Sequence, residues 1–138
     1  ADMRYAAPGT KLCIMEMRWG LVPDMGATPF LQKLLGDDVA RELTYTNRVI
    51  LAEEAKELGL VTRVCENPVE EALKVAAEIA DRNPAAIRAA KRLLNNAPFE
   101  GAAQTLLAES VEQDAIIGST NQVEAVMANL EKREPKFS

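Results

Sequence analysis

The sequence predicts a mixed α/β fold that is predominantly helical and contains only a few short strands. Turn residues and short apolar runs crowd residues 1–67, whereas residues 68–138 show helical periodicity almost throughout. The apolar fraction of 48% and the charged fraction of 27% are close to those of ordinary globular domains. The chain of 138 residues is therefore long enough for one packed domain built from these two parts.

The net charge of −5 and the absence of histidine limit the chemistry that this chain supports. An acidic chain does not attract a polyanion through its overall field, so we do not expect a nucleic-acid partner. Without histidine, Ser-His-Asp and Cys-His catalysis and histidine metal sites are excluded within the chain. The acids are dispersed along the sequence, so we expect no metal site. Acid–base chemistry then falls to carboxylates, tyrosine, lysine or cysteine.

The two cysteines and the ends of the chain bear on its compartment. Cys13 and Cys65 have neither CxxC spacing nor a disulfide-rich context, which predicts buried, reduced thiols in a cytoplasmic protein. No apolar stretch reaches the length of a membrane span, and no signal-peptide pattern follows Arg4. The first residue is alanine and the first methionine is Met3, so we expect a processed or excised chain.

Short elements alternate in the first part of the sequence. We expect Thr28 to cap a helix over 30–35, and Asp37 or Asp38 to cap the next helix, which ends near residue 45. A further helix over 52–58 ends before Gly59, which occupies a position that favours positive φ. Apolar runs predict short strands at residues 1–8, 11–15 and 60–65.

Four helices are expected in the second part, over residues 68–82, 84–94, 99–117 and about 120–132. Asn83 followed by proline predicts an N-cap, and Gly118 ends the third helix. Ser119, Thr120 or Asn121 caps the last helix. Apolar residues spaced three or four apart are expected to face inward: Val69, Ala72, Leu73, Ala76, Ile79, Ala80, Ile87, Ala90, Leu94, Ala103, Leu106, Leu107, Val111, Val123, Met127 and Leu130.

Two carboxylates stand in unusual sequence surroundings. Glu16 ends an apolar strand-like run, and Asp24 lies in a loop that is punctuated by glycine and proline. Apolar surroundings destabilise the charged form of a carboxylate, which suits a general acid or base. The alternative is structural: Glu16 pairs with Arg18 or Arg4, and Asp24 caps the helix that follows it.

A series of motifs along the chain resembles the crotonase family, the enoyl-CoA hydratase/isomerase group. The main motifs are ADMRYAAP at residues 1–8 and TKLCIMEMRWGLVPDMGAT at residues 10–28. Shorter ones follow in the family's order: TNR at 46–48, AEEA at 52–55, GLV at 59–61, AAK at 89–91 and LEKR at 130–133. Each piece is weak alone, but the ordered set covers nearly the whole chain.

The resemblance implies a truncated crotonase-like spiral of ββα units. Residues 1–67 would be the end of the spiral core, which carries the catalytic-acid loop. Residues 68–138 would be the C-terminal helical oligomerisation region, so that the chain corresponds to the C-terminal half of the family's fold. For the full-length parent the resemblance implies a homo-oligomer, a trimer or a dimer of trimers.

The resemblance also implies acid–base chemistry on an acyl-CoA thioester through an enolate, which two backbone N–H groups stabilise. Glu16 falls on the family's glutamate that acts as general acid or base. Asp24 stands where dienoyl-CoA isomerases carry a proton-shuttling aspartate and typical hydratases carry glycine, so it favours isomerisation. The first catalytic acid and both oxyanion donors would lie outside this sequence, which makes the isolated chain inactive. No cofactor is implied, because the coenzyme A thioester is the substrate.

Further residues take roles only through the resemblance. Lys132 and Phe137 would reach the coenzyme A of a neighbouring subunit, although a frayed basic tail is the alternative. Met15 and Ala27 depart from the family's usual proline and glycine, which leaves the substrate class open. For the whole chain, the alternative is a non-catalytic oligomerisation fragment or a crotonase-like binding protein. Three apolar residues would form the wall of the acyl pocket, with plain core packing as the alternative: Trp19, Leu21 and Val22.

Overall fold

A computed structural model describes residues 1–19, 21–23 and 27–138. The chain divides into two compact units, Ala1–Leu73 and Lys74–Ser138. The first unit mixes short strands with helices, and the second is helical in its described residues. The predicted class, predominantly helical with a few short strands, is therefore confirmed for the described residues. The roles predicted for the two parts, spiral core and oligomerisation region, stay predictions.

Four two-residue strands pair in the first unit. β1 (Tyr5–Ala6) pairs in parallel with β4 (Arg63–Val64), and β2 (Lys11–Leu12) pairs antiparallel with β3 (Ile50–Leu51). β1, β2 and β4 are each shorter than the apolar run that predicted them, and β3 was not predicted, because a run becomes a strand only where its backbone groups find a ladder partner. An apolar run does not show where that pairing begins and ends.

Three helices complete most of the first unit: α1 (Ala27–Leu34), α2 (Asp37–Thr46) and α3 (Ala52–Glu57). Thr28 lies inside α1, so its predicted role as N-cap is wrong. The N-cap of α2 is Gly36, without a side-chain hydrogen bond, so Asp37 and Asp38 do not cap the helix either. They lie in the first turn of the helix, where the helix dipole stabilises their negative charge.

Two positive-φ residues end helices in this unit. Asn47 follows α2 with φ of 51°, which asparagine tolerates better than most residues. Gly59 has φ of 94°, as its position after α3 predicted. A Cβ atom at Gly59 would lie 2.6 Å from the backbone oxygen of Leu34, so the close approach also requires glycine.

The core of the first unit forms where α2 and α3 pack against the short strands. Leu43 of α2 and Ile50 of β3 are each only 2% exposed, and Ala52 and Ala55 of α3 are fully buried. Burial of such side chains stabilises a fold by roughly 1.5–3 kcal/mol for each large aliphatic group. The complete cluster is Ala6, Leu35, Ala40, Leu43, Ile50, Ala52, Ala55 and Val61.

The remaining helices are α4 (Pro68–Ala80), α5 (Pro84–Asn96), α6 (Ala102–Ile116) and α7 (Thr120–Glu131). The predicted cap of α5 is confirmed: Asn83 Oδ1 accepts a hydrogen bond of 3.0 Å from the Ala85 N–H. Ser119 caps α7 by accepting from the Gln122 N–H at 3.3 Å. α6 begins three residues later than predicted, because a 3₁₀-helix (Ala97–Phe99) and an extended Gly101 precede it.

Most large apolar side chains of α4 to α7 are exposed, which contradicts the predicted inward packing. Leu94 and Leu130 are each 74% exposed, and Leu107 is 66% exposed. Helical periodicity identifies side chains that share a face, but it does not determine whether the same chain covers that face. Ala72 and Ile79 of the predicted inward set are half-buried. The same correction applies to its other large side chains: Val69, Leu73, Ile87, Leu106, Val111, Val123 and Met127.

Both cysteines are half-buried free thiols rather than fully buried ones. The Sγ atom of Cys13 lies 3.2 Å from the backbone oxygen of Asn47. Within the described ranges, no helix combines the length and the apolar character that crossing a membrane requires.

Candidate functional site

Glu16 begins a short 3₁₀-helix, Glu16–Trp19, directly after the apolar run. The Arg18 N–H donates to the Met15 oxygen at 3.1 Å, and the Leu21 N–H donates to the Glu16 oxygen at 3.1 Å. These two bonds satisfy backbone groups on both sides of Glu16 and hold its backbone in place. The side chain therefore projects from a defined turn.

The Glu16 carboxylate has an unsatisfied oxygen. Its Oε2 atom is buried and has no hydrogen-bond partner among the described residues. The ion pairs with Arg18 or Arg4 that the structural alternative required are not formed. A buried acceptor without a donor costs free energy, and such groups in folded proteins call for a specific explanation. A carboxylate that is placed to bind a ligand or to transfer a proton is such an explanation.

Arg4 has a structural role instead. Its guanidinium donates from Nε to the Leu60 oxygen at 2.5 Å, and from its terminal nitrogens to the Ala1 and Gly59 oxygens at 3.2 and 3.4 Å. The Arg4 backbone N–H donates to the Thr62 hydroxyl at 3.0 Å. These bonds tie β1 to the segment that leads into β4.

Asn47 braces the segment before Glu16, a role that the sequence reasoning missed. Its Nδ2 donates to the Ile14 oxygen at 2.6 Å and to the Thr44 oxygen at 3.1 Å. The C-terminus of α2 therefore holds the backbone two residues before Glu16. The left-handed position that Asn47 occupies in the motif TNR was the sequence signal that could have indicated this role.

The three proposed pocket-wall residues are exposed: Trp19 by 70%, Leu21 by 62% and Val22 by 73%. They do not pack in the core of the unit, so core packing within this chain is excluded for them, and their role as pocket wall stays a prediction. Met15 and Met17, which flank Glu16 in sequence, are also exposed. The exposed apolar side chains around the unsatisfied Glu16 carboxylate form a surface that is suited to contact an apolar group of a ligand.

Asp24, the second predicted catalytic residue, lies outside the described residues. Its predicted role as a base, and its alternative role as a helix cap, both stay predictions.

A cavity of about 150 Å³ opens beside the strand that leads to Glu16, but Glu16 does not line it. Arg48 is its charged wall residue, and it forms ion pairs of 2.8 Å with Glu42 and 2.7 Å with Glu54. Its charge is thereby balanced, and the rest of the lining is mainly apolar: Leu12, Cys13, Ile14, Leu31, Leu43, Ile50 and Leu60.

In the second unit, the C-terminal segment is held in place rather than frayed. Arg133 donates to the two carboxylate oxygens of Glu124 at 2.6 and 3.0 Å. Lys132 is exposed and left-handed, with φ of 54°, and Phe137 is half-buried. The frayed-tail alternative is therefore wrong, while contact of Lys132 and Phe137 with coenzyme A stays a prediction.

Several charged side chains in the described part of the chain form ion pairs that lower the pKa of the carboxyl partner. The Arg133 guanidinium and the Lys136 N–H lower the pKa of Glu124 to about 2. Arg92 holds the pKa of Glu112 below its ordinary value through a bidentate pair of 2.7 and 2.6 Å. No group of three or more acidic or cysteine side chains that could hold a metal occurs among the residues described.

Comparison with known proteins now assigns the family. The enoyl-CoA hydratase/isomerase family model matches residues 1–138. The chain belongs to the enoyl-CoA hydratase/isomerase family. The motifs from ADMR to LEKR thus carried a correct prediction of family. Which part of its relatives' length the chain corresponds to stays a prediction.

Individual relatives agree with this assignment. Crotonyl-CoA hydratase of Syntrophomonas wolfei is 35% identical over 99% of the chain and 53% of its own length. A mitochondrial Delta(3,5)-Delta(2,4)-dienoyl-CoA isomerase of Dictyostelium discoideum is 29% identical over 99% of the chain and 47% of its own length. The crystal structure of enoyl-CoA hydratase from Bacillus anthracis superposes with a TM-score of 0.93 at 35% identity, over 99% of the chain and 54% of that structure. The chain therefore spans about half the length of the relatives that it matches.

Proposed function

We propose that this chain is part of an acyl-CoA enzyme in which Glu16 transfers a proton to or from an enoyl- or dienoyl-CoA thioester. The observation that carries the proposal is the buried, unsatisfied Oε2 of Glu16 on a turn whose backbone is hydrogen-bonded. The relatives named as a crotonyl-CoA hydratase and a dienoyl-CoA isomerase support this substrate class.

The chemistry assigned to Glu16 is general acid–base catalysis at the carbon chain of the thioester. A carboxylate accepts a proton as the thioester becomes an enolate, and the same carboxyl returns a proton when the enolate collapses. The enolate oxygen needs backbone N–H donors, which we assign to sequence of the parent outside this chain. We also propose that the chain is a truncated part of the family's ββα spiral and is inactive alone.

Trp19, Leu21 and Val22 are proposed to contact the acyl chain. Their exposure of 62–73% supports this role, because apolar side chains of this size gain free energy when a ligand covers them. Asp24 is proposed as the second proton-transferring group in the isomerase version of the reaction.

The second unit is proposed to assemble copies of the parent into a trimer or a dimer of trimers. Its exposed apolar faces support this proposal, since large uncovered apolar patches are typical of association surfaces. Lys132 and Phe137 would then contact the coenzyme A bound by a neighbouring copy. The same exposed faces favour the second candidate, a non-catalytic assembly fragment, for the chain on its own.

The test is turnover of crotonyl-CoA and of a 3,5-dienoyl-CoA by the full-length parent. We expect Glu16→Gln to lower kcat/KM on the preferred substrate by about 10²–10⁴-fold, the range of general acid–base catalysis. Glu57→Gln is the matched control, because Glu57 is an exposed glutamate of α3 and should leave the rate unchanged. Equal rates for Glu16→Gln and the unmodified protein would refute the assignment.

Asp24→Asn separates the two reactions. If the protein is an isomerase, this variant loses dienoyl-CoA isomerisation, and if it is a hydratase, crotonyl-CoA hydration survives. Turnover by the purified 138-residue chain would refute the proposal that the chain is incomplete.

A further inference from the structure

Residues 133–138, here named the tail strap, fold back along α7 and attach to its first turns. Glu124 Oε1 accepts from a terminal nitrogen of Arg133 at 2.6 Å and from the Lys136 N–H at 2.7 Å. Glu124 Oε2 accepts from the other terminal nitrogen of Arg133 at 3.0 Å. One carboxylate thus holds the strap at two separate residues.

Asn121 holds the strap at a third residue. Its Nδ2 donates to the Ser138 oxygen at 3.0 Å, and its Oδ1 accepts from the Ser138 N–H at 3.0 Å. Asn121 and Glu124 are three residues apart and therefore share a face of α7. The strap is hydrogen-bonded to this face at its first residue, near its middle and at its last residue.

The reversal that starts the strap is itself fixed. Lys132 is left-handed, and the Arg133 N–H donates to the Ala128 oxygen at 3.0 Å, as in a common helix ending. The Arg133 Nε atom also donates to Glu131 Oε2 at 2.6 Å. Charge-assisted hydrogen bonds of this kind are shorter and stronger than neutral ones. Arg133 is therefore fully engaged inside the chain.

Lys132 differs from Arg133 in this respect. Its side chain is exposed, and its ammonium forms no ion pair with any residue in the described ranges. A lysine ammonium without a carboxylate partner is a suitable point charge for a phosphate. Phe137, between the two strap residues that Glu124 and Asn121 hold, supplies a flat apolar ring.

We propose that Glu124 is a positioning residue for the nucleotide end of coenzyme A, because it holds the strap that carries Phe137 and that starts directly after Lys132. The inference rests on the proposed function, in which these two residues contact the coenzyme. Glu124 does not touch the ligand, since its own oxygens are occupied by Arg133 and Lys136 and its charge would repel a phosphate.

The experiment uses the full-length protein and its Glu124→Gln variant with two readouts. The first is the amide hydrogen exchange of Lys136, whose N–H is bonded to Glu124. The second is KM and kcat for an acyl-CoA and for the matching acyl-pantetheine thioester, which lacks the nucleotide. Glu112→Gln is the matched control, because it breaks a bidentate pair between Arg92 of α5 and Glu112 of α6 that does not involve the strap.

We expect Glu124→Gln to accelerate Lys136 exchange and to raise KM for the acyl-CoA, each by about tenfold, the change produced by losing one charge-assisted bond. The kcat value and both constants for the acyl-pantetheine should stay unchanged, and Glu112→Gln should change neither readout. Arg133→Lys, which keeps the charge but loses the bidentate fork, should give the same pattern and serves if Glu124→Gln does not fold.

Unchanged Lys136 exchange in both variants would overturn the strap. Faster Lys136 exchange with an unchanged KM for the acyl-CoA would overturn the positioning role. Faster exchange with equal changes of KM for the acyl-CoA and the acyl-pantetheine would overturn it as well. If the unmodified protein binds no acyl-CoA at all, the proposed function fails together with the role of Glu124. Slow Lys136 exchange in that same protein would show that the strap itself is intact.

Discussion

The two units of this chain use similar apolar content in different ways. The Ala1–Leu73 unit buries Leu43 and Ile50 to 2% exposure and closes a core around them. In the described residues of the Lys74–Ser138 unit, only Asn83, Ala89 and Ala128 are buried. Its large apolar side chains are mostly exposed.

This difference indicates where each unit obtains its stability. The first unit contains a local core that supports the turn at Glu16. The second unit has helices of which α5 and α7 carry side-chain N-caps, but little large apolar surface is buried among them. Isolated helices gain only part of their stability from caps and propensity, and most of it comes from packing of the apolar face. We therefore expect association to contribute more to the second unit than to the first.

The largest effect is expected from Leu43→Ala in the first unit. Removing a buried leucine should lower the free energy of unfolding by about 2–5 kcal/mol, because it loses transfer free energy and leaves a cavity. Urea denaturation measures this change. Leu21→Ala removes the same atoms from a side chain that is 62% exposed, and should change the free energy of unfolding by less than about 0.5 kcal/mol. Similar losses of unfolding free energy for both variants would contradict a core that is confined to the buried cluster of the Ala1–Leu73 unit.

The next effect is on assembly and concerns the second unit. Leu107→Lys places a charge on the exposed apolar face of α6 and should shift the full-length protein to a smaller oligomer in light scattering. The physical reason is the cost of burying an unpaired ammonium in an apolar interface. Glu109→Lys, on the opposite side of α6, should leave the mass unchanged. An unchanged mass for Leu107→Lys would remove this face from the proposed interface.

A smaller effect is expected at the N-terminus of α5. Asn83→Ala removes the cap to the Ala85 N–H and should lower the free energy of unfolding by about 0.5–2 kcal/mol. Asn95→Ala changes the same residue type at an exposed position near the end of the helix and provides the comparison. A loss at Asn95 as large as that at Asn83 would mean that the cap is not the cause.

The smallest effect is local and depends on pH. The pKa of Glu124 is about 2 in the folded chain against an ordinary value of 4.5, because Arg133 and the Lys136 N–H bind its charged form. Its contribution to stability is therefore fully present above pH 4.5 and is lost as the pH falls through 2. An NMR titration of the carboxyl carbon should show no inflection near pH 4.5. Arg133→Ala should move the inflection back towards the ordinary value.

The sequence predicted the features that depend on local chemistry. The cap at Asn83, the positive φ at Gly59 and the end of α6 before Gly118 each follow from residue type and immediate neighbours. The order of motifs also identified the family, since the set covers nearly the whole chain.

The features that depend on distant partners could not be predicted. Thr28 looks like an N-cap, yet it lies inside α1, and helix boundaries are the least certain part of a local pattern. Leu107 and Leu130 show helical periodicity, but periodicity does not identify what covers a face. The attachment of the tail strap to Glu124 spans nine residues to Arg133 and follows no short-range rule.

Proton transfer by Glu16 is the central claim, and deuterium incorporation tests it most directly. The full-length protein is incubated with an acyl-CoA substrate in D₂O, and incorporation at the carbon next to the thioester carbonyl is followed by NMR. We predict deuterium incorporation by the unmodified protein and by Glu57→Gln. For Glu16→Gln we predict an incorporation rate that is lower by about 100-fold or more. Equal incorporation by Glu16→Gln and the unmodified protein would contradict the account.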